Sequence, residues 1–273
     1  SVDRLDSNIG EVVVENRTNK VTWEDIIRRM IRYIYQQLEN AGAHKVTPII
    51  LQVLITYLVD GGDMGESEAE HILNNAQQKL ERQNALHKLE VCELVYKLLV
   101  AYDSGPVFDL TVKLGNYLLK DGNRECQSTF IALARNLDAD GLFFQHLHGV
   151  LVESKGWVVR TQYNPVTAAA RKQNENRVLE EDGVSEEIST CMFVLLFIQQ
   201  LCEGHRAEMQ NMLRDQTDMN RFSHNLVATC ASFVELIAPK HDTYKHATAS
   251  QRSLLMRVLD FLVESCQGPC AQN

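Results

Sequence analysis

Residues 193–216 read FVLLFIQQLCEGHRAEMQNMLRDQ. Val194, Phe197, Ile198, Leu201 and Cys202 recur at the i, i+3, i+4, i+7 and i+8 positions that share one face of a helix. Gly204 interrupts that pattern, and glycine is the residue that lets a helix end in a left-handed turn. Met209, Met212 and Leu213 then resume an apolar stripe. The stretch therefore predicts two helices packed back on one another, the hairpin unit of armadillo-type stacks.

The same helical period runs through the other long segments. Thr22 is placed to cap a helix over residues 23–38 whose apolar face is Trp23, Ile26, Ile27, Met30, Ile31, Ile34 and Leu38. Pro48 opens an inner helix that ends before Gly61, and residues 66–82 and 86–102 predict a polar and an amphipathic helix. Beyond Pro106 lie helices with Phe108, Val112, Leu114, Leu118 and Leu119 inward, then Phe130, Leu133 and Leu137, then Phe143 and Leu147. After the hairpin come a helix over residues 223–237 and, capped by Ser250, a last one carrying Leu254, Leu255, Val258, Leu259, Leu262, Val263 and Cys266. YLVDGGD at Tyr57 and YLLKDGN at Tyr117 form a loose echo of the kind that stacked units leave. With only 5 prolines and 14 glycines, a turn-rich sandwich or barrel is excluded. The expected fold is all-α, an armadillo-like α-solenoid of stacked helical hairpins.

Four segments follow. Residues 1–21 form an N-terminal arm with one β-prone run at 11–14. Residues 22–159 hold armadillo-like repeats, residues 160–187 a polar linker, and residues 188–273 a second helical domain.

Several function classes drop out. A formal charge of -9 leaves no basic track for nucleic acid. Seven scattered cysteines read as reduced thiols, and no run approaches the roughly 20 apolar residues of a membrane span. Arg28, Arg29 and Arg32 could mark a calmodulin or lipid contact, but beside Glu24, Asp25 and Glu39 they read as a solvated helix face. Cys202, His205, Cys266 and Cys270 could converge on zinc if the last helix packs on the hairpin, yet Cys202 and Cys266 lie on apolar faces and read as core thiols. His205 then serves to terminate its helix by donating to late carbonyls. His241 and His246 flank a loop with Asp242, short of a ligand set, while His146 and His148 point to different faces of one helix. No phosphate loop, HExxH, nucleophile elbow or EF-hand loop occurs. The reading assigns no catalytic, cofactor-binding or metal residue and no cofactor, and an enzyme is not expected.

One resemblance stands out. LLFIQQLCEGH, the following EMQNMLRDQ and the helix end CQGPC at Cys266 to Cys270 resemble the helical domain shared by inositol trisphosphate receptors and ryanodine receptors. Upstream, VFDLTVKLGNYLLKDGNRECQSTF from Val107 to Phe130 is similar to the armadillo repeat of that family. The cysteine before Gln267 favours the inositol trisphosphate receptor branch. Arg206 stands where the family usually has Asn, and Met209 and Met212 where it has aromatics.

The resemblance implies a cytosolic regulatory segment of a homotetrameric ligand-gated calcium-release channel, on the cytosolic face of the endoplasmic reticulum membrane. Such a segment relays ligand-induced movement toward the pore, with other domains and subunits of the channel as its partners. The inositol trisphosphate pocket and the pore lie elsewhere in the family. The alternative is a freestanding armadillo-like scaffold that binds a partner protein in its groove. A helical metal-dependent enzyme has only the histidine and cysteine pairs above in its favour.

Overall fold

The computed structural model describes residues 21–40, 45–59, 68–138, 140–161, 186–239 and 247–268. The expected arm, most of the linker, the turn at Gly61, the loop holding His241 and His246, and Cys270 lie outside them.

Every regular element among the described residues is an α-helix. In chain order they are α1 Trp23–Asn40, α2 Thr47–Val59, α3 Glu68–Lys88, α4 Val91–Ala101, α5 Gly105–Leu119, α6 Arg124–Leu137, α7 Leu142–Thr161, α8 Glu186–Cys202, α9 Ala207–Met212, α10 Leu226–Ile237 and α11 Ala249–Cys266.

Local chemistry sets several boundaries. Thr22 caps α1 as expected: its hydroxyl accepts from the Asp25 amide (3.2 Å), and the Asp25 carboxylate accepts from the Thr22 amide (3.1 Å). The expected helix over 86–102 is divided, because Glu90 takes a left-handed conformation (φ 64°) that turns Leu86 and Leu89 into the end of α3 and its turn. The last helix is capped by Thr248 rather than Ser250. Only Thr248 has a glutamine three residues on, so that Thr248 Oγ1 accepts from the Gln251 amide while Gln251 Oε1 accepts from the Thr248 amide. The helix that begins at Leu142 runs on to Thr161, since Ser154, Trp157 and Val158 keep a buried face beyond Val152. Leu137, expected in the core, is exposed at the end of α6.

The packing is serial. α2 lies on α5, α5 on α8 and α8 on α11, while α4 lies on α7, α7 on α10 and α3 on α6. Successive sets of three helices thus meet through helices of the same rank. One hydrophobic core runs through all of them, from Ile27 to Phe261.

α8 occupies the middle of that core. Ile188, Cys191, Val194, Leu195, Phe197, Ile198, Leu201 and Cys202 are all fully buried, which no single amphipathic face could achieve; α5, α7, α9 and α11 surround it. The expected second half of the hairpin is α9, a short helix that buries Met209 and Met212, with Leu213 just beyond.

Candidate functional site

The helices α5, α8 and α11 end in a common way. Each last turn leaves carbonyls without an intrahelical partner. The chain then passes through left-handed residues: Asp121 and Gly122 after α5, Gly204 and His205 after α8, Gly268 after α11. In each case a buried glutamine from another helix bridges the orphaned carbonyls.

Gln83 of α3 donates through Nε2 to the carbonyls of Tyr117 (2.8 Å) and Lys120 (3.0 Å). Gln127 of α6 donates to those of Gln200 (2.8 Å) and Glu203 (2.9 Å). Gln210 of α9 donates to those of Glu264 (2.9 Å) and Gln267 (2.9 Å). A carboxamide carries two N–H donors on one planar nitrogen, and carbonyls one turn apart present themselves at a separation which that nitrogen spans.

Gln127 and Gln210 hold the same place relative to their own helices. Asn123 is the N-cap of α6 and Arg206 the N-cap of α9, and each clamping glutamine follows its N-cap at the same offset. The three glutamines are buried. A severed clamp therefore takes a buried donor away from two carbonyls at a partly buried helix end.

The helix ends also touch in series. A Cβ on Gly122 would lie 3.5 Å from the Glu203 side chain, and one on Gly268 would lie 3.2 Å from the Cβ of His205. Asp121, Glu203 and Glu264 gather along this row. Burial foremost, then the charges of Glu264 and Asp121, hold the Glu203 carboxyl above its usual range; Lys79, ion-paired with Asp121, opposes that shift.

Further contacts tie the row together. Arg214 donates to the carbonyls of Ser265 (2.8 Å) and Gln210 (2.8 Å) and reaches Cys266 Sγ (3.5 Å). Arg206 donates to Ser128 Oγ across the α6 to α9 boundary (2.9 Å), and Arg135 pairs with Glu208 (2.7 Å).

The end of α11 does come to the turn after α8, so Cys202, His205 and Cys266 share one region. Their environments differ. Cys202 is fully buried, whereas Cys266 is exposed beside the Arg214 guanidinium. Among the described residues no group of three or more His, Cys, Asp and Glu side chains is arranged to hold a metal ion. The helix-terminating role expected of His205 belongs to Gln127, which supplies the donors to the Gln200 and Glu203 carbonyls. His146 and His148 do turn to different neighbours, the Leu99 carbonyl (2.9 Å) and Thr229 Oγ1 (3.0 Å). No described helix is long and apolar enough to cross a membrane.

The role of the glutamines is hidden in the sequence because a lone polar residue on a helix ordinarily faces water. The available signal was the shared offset of Gln127 and Gln210 behind similar helix ends.

Two comparisons bear on this chain. Residues 185–273 match the family model described as RyR and IP3R Homology associated. A stretch of 96 residues is 33% identical to the inositol 1,4,5-trisphosphate receptor itr-1 of Caenorhabditis elegans, covering 34% of this chain and 3% of that receptor.

Proposed function

We propose that the chain, whose residues 185–273 match the family model described as RyR and IP3R Homology associated, is a cytosolic regulatory segment of a ligand-gated intracellular calcium-release channel of the endoplasmic reticulum. In this reading its helices form an armadillo-like α-solenoid within a homotetramer, and the solenoid carries ligand-induced movement toward the pore. The inositol trisphosphate receptor branch is favoured by Cys266 before Gln267 and by the similarity to the nematode receptor. The segment's partners are other domains and subunits of the channel.

The observation that carries the reading is the Gln127 clamp. Gln127 belongs to the upstream helices, and its two bonds fall on the end of α8, the first helix of the homology-associated domain. Asn116 of α5 adds a third link by donating to the Phe193 carbonyl (3.0 Å), and Thr190 donates to Asp109 (2.7 Å). A rotation of the upstream helices reaches α8 through groups fixed to its backbone. In a serial stack such small displacements add from one interface to the next.

The test is a full-length channel carrying Gln127→Ala, with Gln127→Glu as a second variant. Calcium release evoked by inositol trisphosphate is measured in permeabilised cells, together with inositol trisphosphate binding to the same membranes. The expected result is reduced release with unchanged binding. Wild-type release from both variants, with the clamp shown to be lost by a lower unfolding midpoint of the isolated chain, would overturn the relay.

A further inference from the structure

The serial packing makes α11 comparable with α8 residue by residue. Aligning their ends on the carbonyl pairs held by Gln127 and Gln210 sets Met256 with Met192, Leu259 with Leu195, Val263 with Gln199 and Cys266 with Cys202. Three of these four pairs are identical residues.

On α8 these positions form the side turned away from α5. The α5 side is marked by Thr190 on Asp109, the Phe193 carbonyl on Asn116, and the Phe197 ring against Gly115. At about 100° per residue, Met192, Leu195, Gln199 and Cys202 lie nearly opposite, the side to which the serial order α5, α8, α11 assigns α11. There Leu195 and Cys202 are fully buried and Met192 is partly so.

The matching side of α11 is exposed. Met256 is 54% exposed, Leu259 37% and Val263 57%, so an apolar stripe at helical spacing faces outward. The inward side of α11, with Leu254, Leu255, Val258 and Phe261 buried, already packs on α8 and α10.

We propose that the outer face of α11 is the docking surface for one further amphipathic α-helix from a neighbouring part of the larger assembly, seated on α11 as α11 is seated on α8. The surface continues an established interface: the α5–α8 packing is repeated as α8–α11, and the side chains on the outer face of α11 repeat those on the side of α8 turned away from α5. The helix it receives presents an apolar stripe like Leu254, Val258 and Phe261 of α11 itself. The inference rests on the stacked-helix part of the reading above and is independent of calcium release, so the two fail separately.

The probe is a labelled synthetic peptide with the sequence of residues 249–268, because that helix already fits the equivalent face of α8. It is titrated into the whole chain and followed by fluorescence anisotropy, with sedimentation run in parallel. The expected result is saturable binding to a monomeric chain, weakened at least about ten-fold by Leu259→Glu or Val263→Glu, whose outward positions leave helicity unchanged. A peptide carrying Leu254→Glu and Val258→Glu is expected not to bind. Failure of the unaltered peptide to bind a folded chain, or binding indifferent to Leu259→Glu, would overturn the proposal. So would a chain that dimerises through this face and becomes monomeric with Leu259→Glu, since the occupant would then be a second copy.

Discussion

Phe197 of α8 meets Phe130 of α6 edge to face, with ring centroids 5.5 Å apart and planes at 88°. The same ring lies 6.4 Å from that of Phe143 in α7 and rests against Gly115 in α5. One side chain of α8 thus packs against all three of the preceding helices, beside the polar links that Gln127, Asn116 and Thr190 make across the same boundary.

Phe197→Ala is expected to destabilise the chain by about 3–5 kcal/mol, the usual cost of emptying a fully buried aromatic site. Since its neighbours come from α5, α6 and α7, the loss should appear in one transition that takes upstream and downstream helices together. Denaturant unfolding followed by circular dichroism measures the loss, and hydrogen exchange locates it. A loss of a few tenths of a kcal/mol, or one confined to α8 and the helices after it, would contradict this account.

Gly115 supplies the space that the ring occupies. A Cβ there would stand 2.6 Å from Phe197 Cε2, and the ring is held by Phe130 and Phe143, so it cannot swing clear. Gly115→Ala gains helix propensity, yet overpacking of about 1–3 kcal/mol should exceed that gain. Combined with Phe197→Leu, whose smaller side chain clears the new methyl, the two substitutions should cost less than the sum of their separate effects. A double-mutant cycle on unfolding free energies reads the coupling directly.

Gln127→Ala should cost about 1–3 kcal/mol, because it removes donors from two carbonyls at a buried helix end. Gln127→Glu should be at least as damaging, since a carboxylate facing two carbonyls has no proton to give. The measurement is the urea midpoint of each variant. The corresponding changes at Gln83 and Gln210 should fall in the same range, and a neutral result at all three would remove the clamp from the description of the fold.

The residues that read well in the sequence are those whose role is set by their own helix. Phe197, Ile198 and Leu201 announce a buried face by spacing alone, and Thr22 caps α1 from local chemistry. What stayed hidden depends on partners far along the chain. Glu90 looks like an ordinary helical residue, and only its left-handed conformation separates α3 from α4. Gln127 finds its carbonyls more than seventy positions away, a pairing that periodicity does not encode. Arg206 takes the N-cap position of α9 without a side-chain cap bond and reaches Ser128, 78 positions away. The helix end at Tyr117 has counterparts at Gln200 and Glu264 that keep the geometry without keeping the letters.

Glu203 gives the row of helix ends a pH signature. Burial, together with Glu264 and Asp121, raises its folded-state pKa above the value in the unfolded chain, so the folded form binds the proton more tightly. Stability from this group is fully present below the ordinary glutamate pKa of about 4.3 and is lost as pH rises through the elevated folded value. At neutral pH the ionised carboxylate then burdens the fold. Glu203→Gln keeps the size of the side chain and cannot ionise, so it should raise the unfolding midpoint at pH 7, by a few tenths of a kcal/mol given that the group is partly solvated. The excess over wild type should shrink as the pH is lowered from 7 toward the ordinary glutamate range, as Glu203 in the wild type takes up its proton. Unfolding midpoints of the two proteins across that range give the difference curve. A difference that grew on acidification would mean that Glu203 is stabilised as a carboxylate, and that the charges of Asp121 and Glu264 do not reach it.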